Sequence, residues 1–161
     1  NVDCQFYKAG FAPERIYAMQ GDYGLFQCAR PCSDELYNNE EWVTQALAHR
    51  PDPFHIREED VPRCPHCGAY LVPNLRMDSR FVGTPHQQNA NAYEQFLQRH
   101  APERLLLLEI GVGFNTPSII RFPFEQLARQ FPDSVTLIRV NPHNPEVPNL
   151  PNCYSTDALW Q

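Results

Sequence analysis

Residues 104–116 read Arg104-Leu105-Leu106-Leu107-Leu108-Glu109-Ile110-Gly111-Val112-Gly113-Phe114-Asn115-Thr116. An apolar run interrupted only by Glu109 passes straight into a turn carrying two glycines. A run this short and this apolar predicts a buried strand of the kind parallel sheets use. A second such run, 135–140, ends at Asn141. Between the two the pattern predicts a helix over about 122–131. An amphipathic helix over 87–99 precedes them, with Ala92, Tyr93, Phe96 and Leu97 on one face. Helix, buried strand, glycine turn, helix, buried strand is the order of a parallel α/β sheet. In such sheets ligands gather at the carboxyl ends of the strands, where Gly111–Thr116 and Asn141 both fall. Gly-x-Gly-x-x-Thr is not a full dinucleotide fingerprint, and turns of this sort serve structure as often as ligands. Asn141 at a strand end either caps a turn or meets a ribose hydroxyl.

The chemistry of the other half lies in its cysteines. Of the six, four form two close pairs, Cys28-x-x-x-Cys32 and Cys64-Pro65-His66-Cys67. A tight turn can aim both sulfurs of such a pair at one ion, and Gly68 suits the positive φ such turns often need. Two knuckles separated by 31 residues predict a closed four-thiolate zinc site. A closed site is structural, because it leaves no position for water or substrate. Disulfides or buried free thiols are the alternatives, but disulfides need an oxidising compartment, and nothing in the sequence signals secretion; the expected location is the cytoplasm. His66 is not needed as a ligand, and Cys4 and Cys153 read as packing residues.

Around the knuckles we expect a short helix ended by Ala9 and Gly10, a strand near Ile16–Met19, and a β-prone aromatic run over 22–32. A helix capped by Ser33 or Asp34 should reach about His49, with Leu36, Val43, Ala46 and Leu47 roughly on one face. Pro51 and Pro53 stop it, and a short strand is expected at Tyr70–Val72. Sixteen prolines in 161 residues, mostly between periodic segments, point to stiff ordered loops.

Composition narrows the classes. Hydrophobic residues make up 42% and charged residues 20%, enough apolar content for a packed core. The formal charge of −6, with Lys8 the only lysine, argues against a nucleic-acid partner. No apolar stretch approaches the ~20 residues of a membrane helix, so no membrane partner is expected.

Several pieces in order resemble one family: Asn1-Val2-Asp3 at the start, Ala9-Gly10, Gln20-Gly21 before the first cysteine pair, Cys64-Pro65-His66-Cys67-Gly68, Glu109-Ile110-Gly111-Val112-Gly113-Phe114, and Val140-Asn141. The order resembles the sirtuins, NAD-consuming protein deacylases and ADP-ribosyltransferases, over nearly the whole chain. The resemblance implies an α/β fold class: an incomplete Rossmann-like parallel sheet with a small zinc-binding module. Residues 1–19 and 85–161 would belong to the NAD-binding domain and 20–84 to the zinc module, with NAD in the cleft between. It implies that Asn1 and Asp3 contact nicotinamide and its ribose. Gly111, Val112 and Gly113 would touch the NAD phosphates and adenosine ribose. Asn141 would lie near that ribose, and Asp157 near the segment closing over adenine.

Three departures shape the function expected. The family's opening Gly-Ala-Gly strand is absent, so the chain looks like a fragment that binds NAD poorly. Gln20 stands where deacylating sirtuins carry the general-base histidine, and a carboxamide cannot take a proton near neutral pH. The substrate segment reads Asn74-Leu75-Arg76-Met77-Asp78-Ser79-Arg80, in place of a Phe-Gly pattern. These changes resemble the macrodomain-linked sirtuins. That branch implies protein ADP-ribosylation, with Asn1, Asp3 and Gln20 in catalytic positions. It further implies a protein acceptor such as a lipoyl-carrying H-like protein and a macrodomain hydrolase as functional partner. The alternatives are an NAD-dependent lysine deacetylase and a non-catalytic zinc module that senses NAD or ADP-ribose.

Overall fold

The computed structural model describes residues 2–158. It divides into two compact units, Asn1–Tyr93 and Glu94–Gln161.

The first unit opens with α1 (Gln5–Lys8), which Gly10 ends at φ 83°. No strand forms over 16–19: a 3-10 turn at Pro13–Arg15 intervenes, and the chain becomes extended only at β1 (Gly21–Cys28). Gly21 is obligatory at that entry. Its φ is +94°, and a Cβ there would stand 2.0 Å from the Asn74 carbonyl oxygen. β1 is the centre of an antiparallel three-stranded sheet, flanked by β2 (Tyr37–Asn38) and β3 (Leu71–Leu75). α2 (Glu40–His49) starts at Asn39, later than Ser33 or Asp34. The pairing of Tyr37 with Phe26 holds Tyr37–Asn38 in the sheet, so the helix begins only after it. Ala46 is its buried residue, while Val43 and Leu47 stay exposed, so the predicted apolar face is mostly outward. The sheet's apolar cluster consists of Cys28, Cys64 and Leu71, with Phe26, Tyr37, Trp42 and Ala69 packed around it.

α3 (Gln87–His100) carries its inward residues at Ala90, Tyr93, Leu97 and His100, with Ala92 and Phe96 exposed. In the second unit β4 (Leu105–Ile110), α4 (Arg121–Gln130), β5 (Val135–Val140) and β6 (Cys153–Thr156) follow. The three strands run parallel in the order β4-β5-β6, so the α/β class with a parallel sheet holds. The β4–β5 crossover contains α4; the β5–β6 crossover is the proline-rich loop 141–152. Ala101, Leu105, Leu107, Ala128, Val135 and Leu137 form the core, with Leu97, Phe124 and Leu127 against it.

The continuous apolar run of β4 is buried on one face only. Leu105, Leu107 and Glu109 point inward, whereas Leu106 (59% exposed), Leu108 (51%) and Ile110 (58%) do not. Ile138 and Tyr154 pair in register with Leu108 and extend this open face across the sheet. Among the described residues no helix is long and apolar enough to cross a membrane.

Candidate functional site

The first cysteine pair leaves the end of β1, and the second lies in a closed turn just before β3. The second turn is fastened by Gly68 N–H donating to the Cys64 carbonyl (2.9 Å) and Cys64 N–H to the Ala69 carbonyl (2.7 Å), with Gly68 at φ 70°. Ala29 N–H donates to the Tyr70 carbonyl (2.9 Å) and ties one knuckle to the other. The sulfurs of Cys28, Cys32, Cys64 and Cys67 all lie within 4.8 Å of one another. Cys28–Cys67 is 3.6 Å and Cys32–Cys64 is 3.5 Å. These are not disulfides, since all six cysteines are free. They approach the ~3.8 Å edge of a tetrahedron with zinc–sulfur bonds of about 2.3 Å. The donor set therefore fits a metal ion, and the cluster can hold one.

Four thiols this close cannot ionise independently without a cation. The side-chain hydrogen bonds with Cys64 and Cys67 push the Cys32 thiol up to about 12. Burial alone would raise Cys64 too, but the backbone N–H groups of Cys67 and His66 outweigh it and lower it to about 6. His66 is turned to Glu35 (2.6 Å), which also accepts from the Tyr37 hydroxyl (3.1 Å). This hydrogen bond links the two knuckle regions and leaves the thiolate set to the cysteines.

In the same unit Asn74, fully buried, donates to Gln27 Oε1 (2.8 Å) and to the Val82 carbonyl (3.0 Å). His86 Nε2 therefore donates to Asn74 Oδ1 (2.8 Å), and its ring stacks on Phe81 at 5.8 Å. Arg76 lies over the same Phe81 ring at 4.3 Å. The segment from Arg76 to Arg80 is thus held by a polar network, and Arg80 pairs with Asp78. Burial lowers the His86 pKa below 6.5; nearby Asp22 opposes the shift and Arg76 adds to it. A depressed folded pKa means that stability is full above the unfolded value and is lost as pH falls through the folded one. Melting temperature should therefore drop between pH 7 and pH 5, and His86→Gln, which keeps a donor but does not titrate, should flatten that drop. Identical slopes for the two proteins in thermal melts would refute this.

The glycine turn lies at the carboxyl end of β4. Gly111 N–H donates to the Val140 carbonyl (2.9 Å), and Gly111 sits at φ +68°, which explains its identity. Space around both Gly111 and Gly113 is open to 4 Å. Among the described residues, the backbone N–H groups of Val112, Gly113, Phe114 and Asn115 have no hydrogen-bond acceptor. Four successive unpaired N–H groups at a strand end are donors that an anion could use. Buried Asn141 serves the turns: Nδ2 donates to the Val112 carbonyl (2.9 Å), and Oδ1 accepts from His143 N–H and Asn144 N–H (3.0 Å each). Asp157 is exposed just beyond β6.

Asp3 is exposed and accepts from Gln5 N–H (3.2 Å) at the start of α1. Gln20 is partly buried, and its carbonyl accepts from Arg76 N–H (3.0 Å). Asn1 lies outside the described residues.

Sequence reading missed a buried charge cluster beneath the turn. Arg139 donates to both carboxylate oxygens of Glu109 (2.6 and 2.9 Å) and to Glu125 (3.0 Å). Arg121 lies 3.9 Å from Glu109 and 3.8 Å from Glu125. Burial alone would lower the Arg139 pKa, but the bonds to Glu109 and Glu125 outweigh it and keep the guanidinium charged. The overlooked signal was register: Glu109 and Arg139 interrupt two apolar strands at directly paired positions.

No family model matches the chain. It is 31% identical over 134 residues to a protein of Staphylococcus aureus named protein ADP-ribosyltransferase, covering 81% of this chain and 42% of that protein. It is also 31% identical over 145 residues to a Fusarium oxysporum protein named probable bifunctional ADP-ribose hydrolase/ADP-ribosyltransferase, covering 87% of this chain and 24% of that one. The chain thus spans less than half the length of either relative. Over most of its own length, this α/β chain with its four-cysteine cluster is similar to part of proteins named for ADP-ribosyl transfer.

Proposed function

We propose that the chain is part of a sirtuin-type protein ADP-ribosyltransferase that uses NAD as co-substrate and zinc as a structural ion. The observation that carries this reading is the similarity to two proteins named ADP-ribosyltransferase, each covering more than four fifths of the chain. The unpaired N–H groups of 112–115 support it, because a pyrophosphate could accept from them. Zinc is the ion the donor set favours, since four thiolates within 4.8 Å of one another suit it and leave no open position. Cys28, Cys32, Cys64 and Cys67 would hold it.

In the reaction, the bond between nicotinamide and ribose C1′ breaks, and a bond forms from C1′ to an acceptor nucleophile. Nicotinamide leaves, and the acceptor gives up its proton. Asn1 and Asp3 would hold nicotinamide and its ribose; Gly111, Val112 and Gly113 would hold the phosphates. Asn141 would support the adenosine ribose side, and Asp157 the adenine end. Gln20 would orient ribose or acceptor by hydrogen bonds, and this transfer does not require it to take a proton. A protein acceptor, such as a lipoyl-carrying H-like protein, fits this chemistry. So does a macrodomain hydrolase as opposing partner, since one relative's name joins a hydrolase to the transferase. We place the protein in the cytoplasm, where free thiols persist.

The test is mass spectrometry of the parent protein with NAD and a candidate acceptor. The expected product is an acceptor heavier by one ADP-ribose, with nicotinamide released. Efficient deacetylation of an acetyl-lysine peptide without ADP-ribose transfer would favour the deacylase. Binding of ADP-ribose without any nicotinamide release would favour a sensor.

A further inference from the structure

We propose that Arg121 is a positioning residue for the glycine turn, fixing its N–H groups outward through the Val112 carbonyl. The proposal rests on the reading that this turn holds the cofactor phosphates.

Arg121 is the first residue of α4 and is only 2% exposed. A cation at a helix N-terminus opposes the helix dipole, so helix stability does not explain its presence there. Its guanidinium instead gathers loop carbonyls. Nη1 donates to Val112 (3.4 Å) and Asn144 (3.0 Å), and Nη2 donates to Glu146 (2.9 Å). The Phe114 ring, two residues further along the turn, covers the guanidinium at 4.3 Å. Two residues of the turn are therefore tied to one side chain.

The geometry of the peptide unit makes this consequential. The Val112 carbonyl and the Gly113 N–H belong to one planar trans peptide, so they point in opposite directions. Drawing that carbonyl toward Arg121 and Asn141 Nδ2 turns the Gly113 N–H away from them. Without the tether, Gly113 has open space in which to swing. Glu109 and Glu125 balance the buried charge, and Arg139 holds those two carboxylates in place. Lysine would keep the charge but could not reach three carbonyls with one planar fork.

The experiment is amide-resolved NMR of the 15N-labelled chain titrated with ADP-ribose, and separately with inorganic pyrophosphate. In the wild type, the amides of Val112, Gly113, Phe114 and Asn115 should shift and saturate with either probe. Arg121→Lys should weaken that titration about tenfold, the scale of losing hydrogen bonds to a charged group. It should also move the Gly113 amide before any ligand is added, while β5 and β6 amides stay at wild-type positions. Phe114→Leu, at an exposed site, should weaken binding to a lesser degree with the sheet unchanged. Equal affinity of wild type and Arg121→Lys overturns the inference alone. So does an Arg121→Lys protein whose sheet amides are lost, since the residue would then be purely structural. A wild-type chain that leaves the turn amides unmoved overturns the functional reading and this inference with it.

Discussion

Chelation of the ion that we propose for the four-cysteine cluster is expected to unfold the antiparallel sheet of the first unit. The reason is the smallness of what else holds it. Two of the three buried residues in its apolar cluster, Cys28 and Cys64, are themselves members of the thiolate set. Both ends of that set meet the sheet directly: Cys28 closes β1, and Cys64 opens the turn before β3. Structural zinc sites of this type supply about 10–16 kcal/mol of apparent binding free energy, most of it expressed as folding. Leu71, Phe26, Tyr37 and Trp42 supply at most about 6–12 kcal/mol at ~1.5–3 kcal/mol per buried side chain, and Leu71 alone of the four is buried, so packing falls short once the entropy of ordering the sheet is set against it. Trp42, 5.9 Å from Phe26, reports the event. In a Trp160→Phe background its emission should shift to the red on adding a strong chelator and return on adding zinc. Cys64→Ser should give the unfolded spectrum at once and less than one zinc per chain by elemental analysis. A chelated chain with unchanged emission would sink the metal reading.

Arg139→Met is expected to destabilise the second unit by about 3–5 kcal/mol, the cost of stranding a buried charge. Arg139 and Glu109 are both almost wholly enclosed, at 0% and 1% exposed. Among the described residues, removing the guanidinium leaves Glu109 with Arg121 at 3.9 Å as its remaining cation. The substitution also frees the Glu146 carbonyl, to which Arg139 donates, and so loosens the β5–β6 loop. Replacing both partners, as Glu109→Met with Arg139→Met, should lose less than the sum of the single changes, because no charge is then stranded. Urea titration of the four proteins measures this. A single Arg139→Met costing under about 1 kcal/mol would show the pair to be dispensable.

The two strands of residues 105–110 and 135–140 were legible because a short apolar run between turn signals admits little else. What the run could not tell was how many faces are covered. Leu106, Leu108 and Ile110 look the same in sequence as Leu105 and Leu107, and tertiary packing alone separates them. The cysteines were legible through spacing, since a pair three or four residues apart constrains the sulfurs locally. The start of α2 was not. Ser33 and Asp34 are good caps, but pairing between Tyr37 and Phe26 competes for the same stretch, and strand partners far along the chain leave no local mark. The face of α3 was misread for a related reason. Ala92 and Phe96 satisfy the helical spacing as well as Ala90, Tyr93 and Leu97 do, and only the neighbours decide. Glu109 passed as a blemish in an apolar strand, although its partner stands directly opposite in register. Val112 entered as a member of a glycine motif; that its carbonyl anchors the turn follows from Arg121 and Asn141, residues no motif links to it.

The uncovered side of the parallel sheet has a practical outcome. Leu106, Leu108, Ile110 and Tyr154 make a greasy plate bounded by β4, one of the two edge strands of the three described. Such a plate behaves in a tube as an adhesive, and the adjoining unpaired rim offers incoming chains a template. Clumping would then rise with concentration while each molecule stayed correctly folded, so turbidity in a purified sample would report stickiness rather than misfolding.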